Sequence, residues 1–225
     1  MWESIYVANE WACASVEGGG MAETKSLYEL FVLGRLMAQP FYGYLLRKIL
    51  DVAIGPARKI SWGVLYPLIR RLEDEGLIAT DVPAVTPTPA NQETERQRRM
   101  YRITEAGRDR FYALMREPGD YNTDYADWFS IKLSCFAYVG AEQQLDILRH
   151  YRGYLQFVTR TLTTARQRVA SIPAIGDRER PHYLRMLDHK LLLLATDLTW
   201  VEGEIAHVGA ETQTADLVAA EERES

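Results

Sequence analysis

Apolar residues recur at helical spacing along most of the chain. Leu27, Leu30, Phe31, Gly34 and Met37 share one face, and Ser26 with Glu29 forms a capping box, so a first helix is expected from Ser26 to about Ala38. Gln39-Pro40 breaks it, and Leu45, Leu46, Ile49 and Leu50 set a second helix from about Tyr42 to Val52. Ile54-Gly55-Pro56 turns the chain. A third helix starts at Ser61, whose hydroxyl can cap the first turn, and stops at Gly76, which can take the left-handed conformation past the last turn. Leu65, Leu68 and Leu72 form its inward face, flanked by Val64 and Ile69; Gly63, Tyr66, Arg70 and Asp74 face the other way, with Trp62 and Arg71 at the margins. Pro67 inside this helix removes one backbone hydrogen bond and bends the axis.

Beyond the third helix, Leu77-Ile78-Ala79 and Met100–Ile103 are short strand candidates. The loop between them carries Pro83, Pro87 and Pro89 and then Arg96, Arg98 and Arg99. Thr104 can cap a helix running to about Arg116, and Glu117-Pro118-Gly119-Asp120 ends it. A short amphipathic helix follows around Tyr125, Trp128, Phe129 and Phe136. Two long series then alternate spacings of three and four: Leu148 to Val169, and Leu184 to Val208 after Pro173 and Gly176. They are coiled-coil patterns joined by a short connection, which predicts an antiparallel pair. A seam that long must find partners within the chain or on a second copy, and a homodimer with these helices as its main interface is expected.

Three helices followed by two strands and a basic loop make a winged helix-turn-helix. The stretch from Ser61 to Ile78 resembles the recognition helix of the PadR family of bacterial transcription regulators, whose pattern is similar to S-x-G-x-L-Y-P-x-L-x-R-L-E-x-E-G-L-I. Tyr42-Gly43-Tyr44-Leu45-Leu46 upstream and Tyr101–Gly107 downstream agree in order and spacing, so the resemblance covers roughly residues 26–112. It implies a homodimeric repressor that binds an inverted-repeat DNA operator and is released by a small aromatic effector, such as a phenolic acid or a drug-like cation. The loop corresponding to the wing is longer and richer in proline than is usual in that family.

The expected fold class is therefore mainly α: an N-terminal winged helix-turn-helix domain and a C-terminal α-helical, coiled-coil-like dimerisation domain. The divisions expected are a disordered extension over 1–23, with Met21 as an alternative start, a DNA-binding domain over 24–117, a dimerisation and effector domain over 118–209, and a disordered Glu/Ala-rich tail over 210–225.

An exposed helix face with a small residue, an aromatic hydroxyl and guanidiniums can approach DNA closely and reach phosphates or base edges. On that ground Gly63, Tyr66, Arg70 and Arg71 are the candidate readers, with Ser61, Lys59 and Tyr44 near phosphates and Arg98 and Arg99 acting from the wing. Taken alone, Arg70 and Arg71 could equally pair with Glu73, Asp74 or Glu75 on a solvated face; the resemblance turns the reading toward DNA. Trp62 and Tyr44 would also pack the third helix on the second. Tyr125, Trp128, Phe129 and Trp200 are candidates for an effector pocket between the C-terminal domain and the wings, although each could be an ordinary core aromatic.

Charge adds a modest asymmetry. Residues 24–112 hold 14 Lys/Arg against 10 Asp/Glu, and the remainder 12 against 21, within a total of −5. A basic segment can bind DNA within an acidic protein, because the local field decides. Cys13 and Cys135 are too few for a disulfide framework or a thiolate metal site, and no apolar run spans a bilayer, so a cytoplasmic protein is expected. His150, His182, His189 and His207 lack metal-site spacing, and no nucleophile motif or phosphate loop occurs. No enzyme activity, metal or cofactor is expected. The alternative reading is a winged helix serving only as a protein-interaction module.

Overall fold

Leu27, Leu30, Phe31, Val32, Leu33 and Leu36 are all buried on helix α1 (Gly20–Ala38), about which the first part of the computed structural model is assembled. A helix apolar nearly all round must be enclosed. It is packed against α2 (Gly43–Ala53), α3 (Trp62–Asp74), α4 (Glu105–Arg116), α5 (Tyr125–Leu133) and the sheet. The structure describes residues 20–53, 62–81, 99–122 and 124–224. The expected disordered arm lies outside these residues up to 19, and the remainder of it is helical.

Helix α1 begins earlier than the capping box at Ser26 predicted. Met21–Lys25 contains no helix breaker, so the helix continues through it. Ser26 is consequently an interior position, and Glu29 turns inward.

The sheet is three-stranded and antiparallel, in the order β1 (Phe41–Tyr42), β3 (Met100–Ile103), β2 (Ile78–Asp81). Ile78 sits opposite Ile103 and Thr80 opposite Tyr101; Phe41 faces Tyr101 from the other side. Strand β1 was not expected. Two residues cannot show a period, and their partner lies far along the chain.

Between α3 and β2 the chain makes a Schellman turn. Gly76, at φ 70°, donates to the Glu73 carbonyl at 3.0 Å and Leu77 donates to that of Leu72 at 2.9 Å. A side chain at position 76 would strain this left-handed residue. Thr104 caps α4 as expected, its hydroxyl accepting from the Gly107 N–H at 3.0 Å. The same hydroxyl bonds the Gly76 carbonyl at 2.7 Å, which ties the end of the third helix to the start of the fourth.

The first unit ends at Tyr138, later than the boundary expected after Glu117. Helix α5 packs on α1, and the 3-10 turn Phe136–Tyr138 puts its tyrosine ring edge-on to Phe111 at 6.1 Å. Cys135 is buried against Gly34 of α1, and burial pushes its thiol pKa up.

The second unit is a helical hairpin of α6 (Ala141–Ser171) and α7 (Arg180–Glu224). Leu148, Tyr151, Leu155, Leu187, Val201 and Val208 are buried, and Arg180 closes the connection by donating to the Val169 and Ile175 carbonyls at 2.6 and 2.7 Å. Most other seam residues of the two series are only half-buried, and Leu192 is 67% exposed. Helix α7 runs through Glu224 where a disordered tail was expected. A Glu/Ala-rich segment has good helix propensity and extends an existing helix without a new nucleus.

Candidate nucleic-acid interface and an adjoining cleft

Leu65, Leu68, Ile69 and Leu72 hold α3 in the core, so the opposite side of the helix faces outward. Gly63, Val64, Pro67, Arg70 and Asp74 are exposed there, and Tyr66 is half-buried. A flat, small-residue start followed by a guanidinium one to two turns on is a shape that a major groove can receive. Pro67 sits within the helix, on its exposed side.

Arg71 is placed differently from Arg70. Its Nη2 donates to Oε2 of Glu29 at 2.7 Å, and its Nη1 lies 3.5 Å from Glu75. The Glu29 side chain, 3% exposed, also accepts from Arg110 Nε at 2.6 Å through its other oxygen. One carboxylate therefore joins α1, α3 and α4. Both guanidiniums remain partly in water, at 39% and 37% exposure. Charge-assisted bonds of this kind are the stronger protein hydrogen bonds, and they satisfy a carboxylate that burial alone would penalise. Glu29 was missed in the sequence beyond its capping role. Its signal was an acid amid Leu27, Tyr28, Leu30 and Phe31, where a carboxylate needs a partner.

Tyr44 is 45% exposed in the first turn of α2, and its ring stacks on that of Tyr42 at 5.9 Å. The expectation that Tyr44 packs α3 on α2 is therefore not met: its ring is turned to solvent beside Tyr42. Arg99 is half-buried just before β3. Lys59, Ser61, Arg98 and most of the wing loop lie outside the described residues, as does the side chain of Trp62.

Two of the aromatic candidates for effector binding, Tyr125 and Trp128, line a cleft of about 380 Å³ in the first unit. Ser26 and Leu27 of α1 form one wall, and Glu117, Gly119, Asp120 and Asp124 with the start of α5 form the other. Gly119, at φ 77°, lets the backbone pass against the Trp128 indole nitrogen. Phe129 is buried and is not part of this lining; Trp200 is partly exposed on α7. Glu117 is linked outward to Arg110, 3.7 Å away.

Lys132 lies beneath the Trp128 ring, its Nζ 5.2 Å from the ring centroid. It donates to the carbonyls of Met115, at 3.1 Å, and of Glu117. Burial lowers its pKa to about 8 from 10.5, against a smaller opposing pull from Glu117. Between pH 8 and 10.5 the unfolded chain thus binds more protons at this site than the folded one. Lys132 therefore makes stability rise with pH across that window, by about 3 kcal/mol in total. Subtracting the pH profile of Lys132→Met from that of the wild type in denaturant unfolding should reveal this rise; a flat difference would place the ammonium in water.

An exposed helix face backed by a buried one, next to a three-stranded antiparallel sheet, defines a winged helix-turn-helix protein. Residues 32–113 match the family model described as "Transcriptional regulator PadR-like family". The matched family is one of transcriptional regulators. No curated protein matches the chain. Among solved structures, Bacillus subtilis PadR in complex with operator DNA is 16% identical, covering 80% of this chain and 98% of its own, with a TM-score of 0.34. The same protein in complex with p-coumaric acid gives 16%, 81% and 99%, with a TM-score of 0.35. The Vibrio cholerae virulence activator AphA is 22% identical, covering 82% and 99%, with a TM-score of 0.32. Among the described residues no group of His, Cys, Asp and Glu could hold a metal ion, and no helix is long and apolar enough to cross a membrane.

Proposed function

We propose that the protein is a cytoplasmic homodimeric repressor that binds an inverted-repeat operator and leaves it when a small aromatic effector binds. The observation that carries the DNA contact is the outward face of α3, where Gly63 and Arg70 are exposed beside the half-buried Tyr66. Arg70 would read a base edge, with Tyr44 and Arg99 near phosphates and Lys59, Ser61 and Arg98 in the roles their positions suggest. Arg71 would serve mainly to orient α3 through Glu29.

Dimerisation is supported by the apolar side chains left exposed on α6 and α7, including Phe157, Met186, Leu192 and Leu193. Two α3 helices related by a two-fold axis would meet half-sites about one helical turn apart. An effector that changed the separation of the two winged domains would forfeit the advantage of meeting both half-sites together.

The test is a mobility shift on the DNA upstream of the protein's own gene, at two salt concentrations. Specific binding should weaken steeply with salt, as phosphate contacts release counterions. Arg70→Ala should lose about 1–3 kcal/mol of discrimination against scrambled DNA and remain a dimer. Unchanged specificity in that variant would remove Arg70 from the interface.

A further inference from the structure

The outward side of α3 carries two rows of residues that differ in character. Gly63, Tyr66 and Arg70 recur at spacings of three and four and make one row; Val64, Pro67 and Arg71 make a second beside it. The Arg71 guanidinium is engaged elsewhere, donating to Glu29 at 2.7 Å and lying 3.5 Å from Glu75. What remains of the second row is apolar. Val64, expected to flank the inward face, is instead 48% exposed, and Pro67 is exposed one turn on.

We propose that Val64, with Pro67 beside it, contacts a thymine methyl in the major groove and makes thymine a required base of each half-site. This rests on the reading of α3 as the DNA-facing helix and adds a base to its specificity. The C5 methyl of thymine is the largest apolar group that base pairs present in that groove; the other distinguishing groups are hydrogen-bond donors and acceptors. A branched apolar side chain pressed on those would strip their water and return no bond. Against a methyl it buries apolar surface on both sides.

A single exposed valine is ordinary on a protein surface. Val64 is distinguished by its neighbours. Gly63, without a side chain, lets the first turn of α3 approach closely enough for a residue as short as valine to reach base edges. Arg70, in the adjoining row, is suited to guanine. Val64 precedes Arg70 by about 9 Å along the helix axis, so the thymine is expected within about three base pairs of that guanine.

The experiment starts from sites that the full-length protein selects out of random duplex DNA. In a selected site each thymine is replaced singly by deoxyuridine, which loses the C5 methyl and keeps every hydrogen-bonding group. Affinity is read by fluorescence anisotropy at one fixed salt concentration. One thymine in each half-site is expected to cost about fourfold on replacement, and the two together about fifteenfold, the value of one buried methyl per half-site. Val64→Ala should bind the thymine and uracil forms at that position within about twofold of each other, and treat the other thymines as the wild type does. The substitution lies at an exposed position and raises helix propensity, so the fold is retained. The proposal is overturned if no single thymine is sensitive, or if the sensitive one keeps its full penalty in Val64→Ala. Selected sites whose thymines are all indifferent to the methyl would reject the role of Val64 alone. Failure to select any sequence would reject the DNA-reading function and this inference with it.

Discussion

Gly107→Ala is expected to destabilise the first unit by roughly 2–4 kcal/mol, more than any exposed substitution in it. A Cβ at position 107 would collide with the Leu77 carbonyl oxygen and lie 2.8 Å from Ile103 Cγ1 and 3.0 Å from the Leu77 carbonyl carbon. The obstruction is backbone, so no rotamer relieves it. The Leu77 carbonyl accepts from the Thr104 N–H at 3.1 Å and lies 3.0 Å from the Thr104 hydroxyl, whose proton it shares with the Gly76 carbonyl. To admit the methyl, α4 must lift away from the turn that ends α3, loosening the helix proposed to read DNA. Denaturant unfolding followed by fluorescence will measure it. Gly140→Ala is the control: nothing lies within 4 Å of its added Cβ, so only the modest loss of a favourable N-cap residue, about 0.5–1 kcal/mol, is expected. Equal stability of the two variants would show that the close approach of α4 to Leu77 is not maintained in solution.

The second large effect is expected from Glu29→Gln. Removing one member of a buried ion pair usually costs about 3–5 kcal/mol, because a charge is left uncompensated. Here the stranded groups are Arg71 and Arg110, each more than a third exposed, so water recovers part of that loss. A destabilisation of about 2 kcal/mol is the expected balance. DNA affinity should fall beyond what the lost stability explains, since α3 is no longer held through Arg71. A double-mutant cycle with Arg71→Met gives the coupling directly: additive effects would mean that the two residues act independently.

The elements most legible in the sequence were those whose signals are local. The Thr104 cap, the left-handed stop at Gly76 and the apolar face of Leu65, Leu68 and Leu72 depend on neighbours within a few residues, and each appears where expected. The two heptad-like series likewise form the hairpin of α6 and α7. What escaped notice depends on distant partners. Strand β1 exists only because β3 offers an edge, and Glu29 lies 42 and 81 residues from the arginines that hold it. Ser26 and Glu29 matched a capping pattern, yet the helix had started earlier, and a motif of two residues cannot report what precedes it. Tyr125 and Trp128 were singled out as aromatic candidates, and they do share a cleft. Its carboxylates, Glu117, Asp120 and Asp124, lie in the same stretch of chain, but its other wall, Ser26 and Leu27, comes from α1 about a hundred positions earlier, so the enclosure was not visible from their surroundings in the chain.

Pro67 has a consequence for how such a protein can change. Having no N–H, it cannot give the Gly63 carbonyl the bond that a helix would supply, and both residues lie on the exposed side of α3. The outward face therefore includes a main-chain acceptor that belongs to no side chain. Under the proposed DNA contact, substitutions at Tyr66 or Arg70 would change the side chains offered to the bases, whereas this oxygen stays for as long as the proline does. On that proposal, side chains can be exchanged around a fixed main-chain landmark.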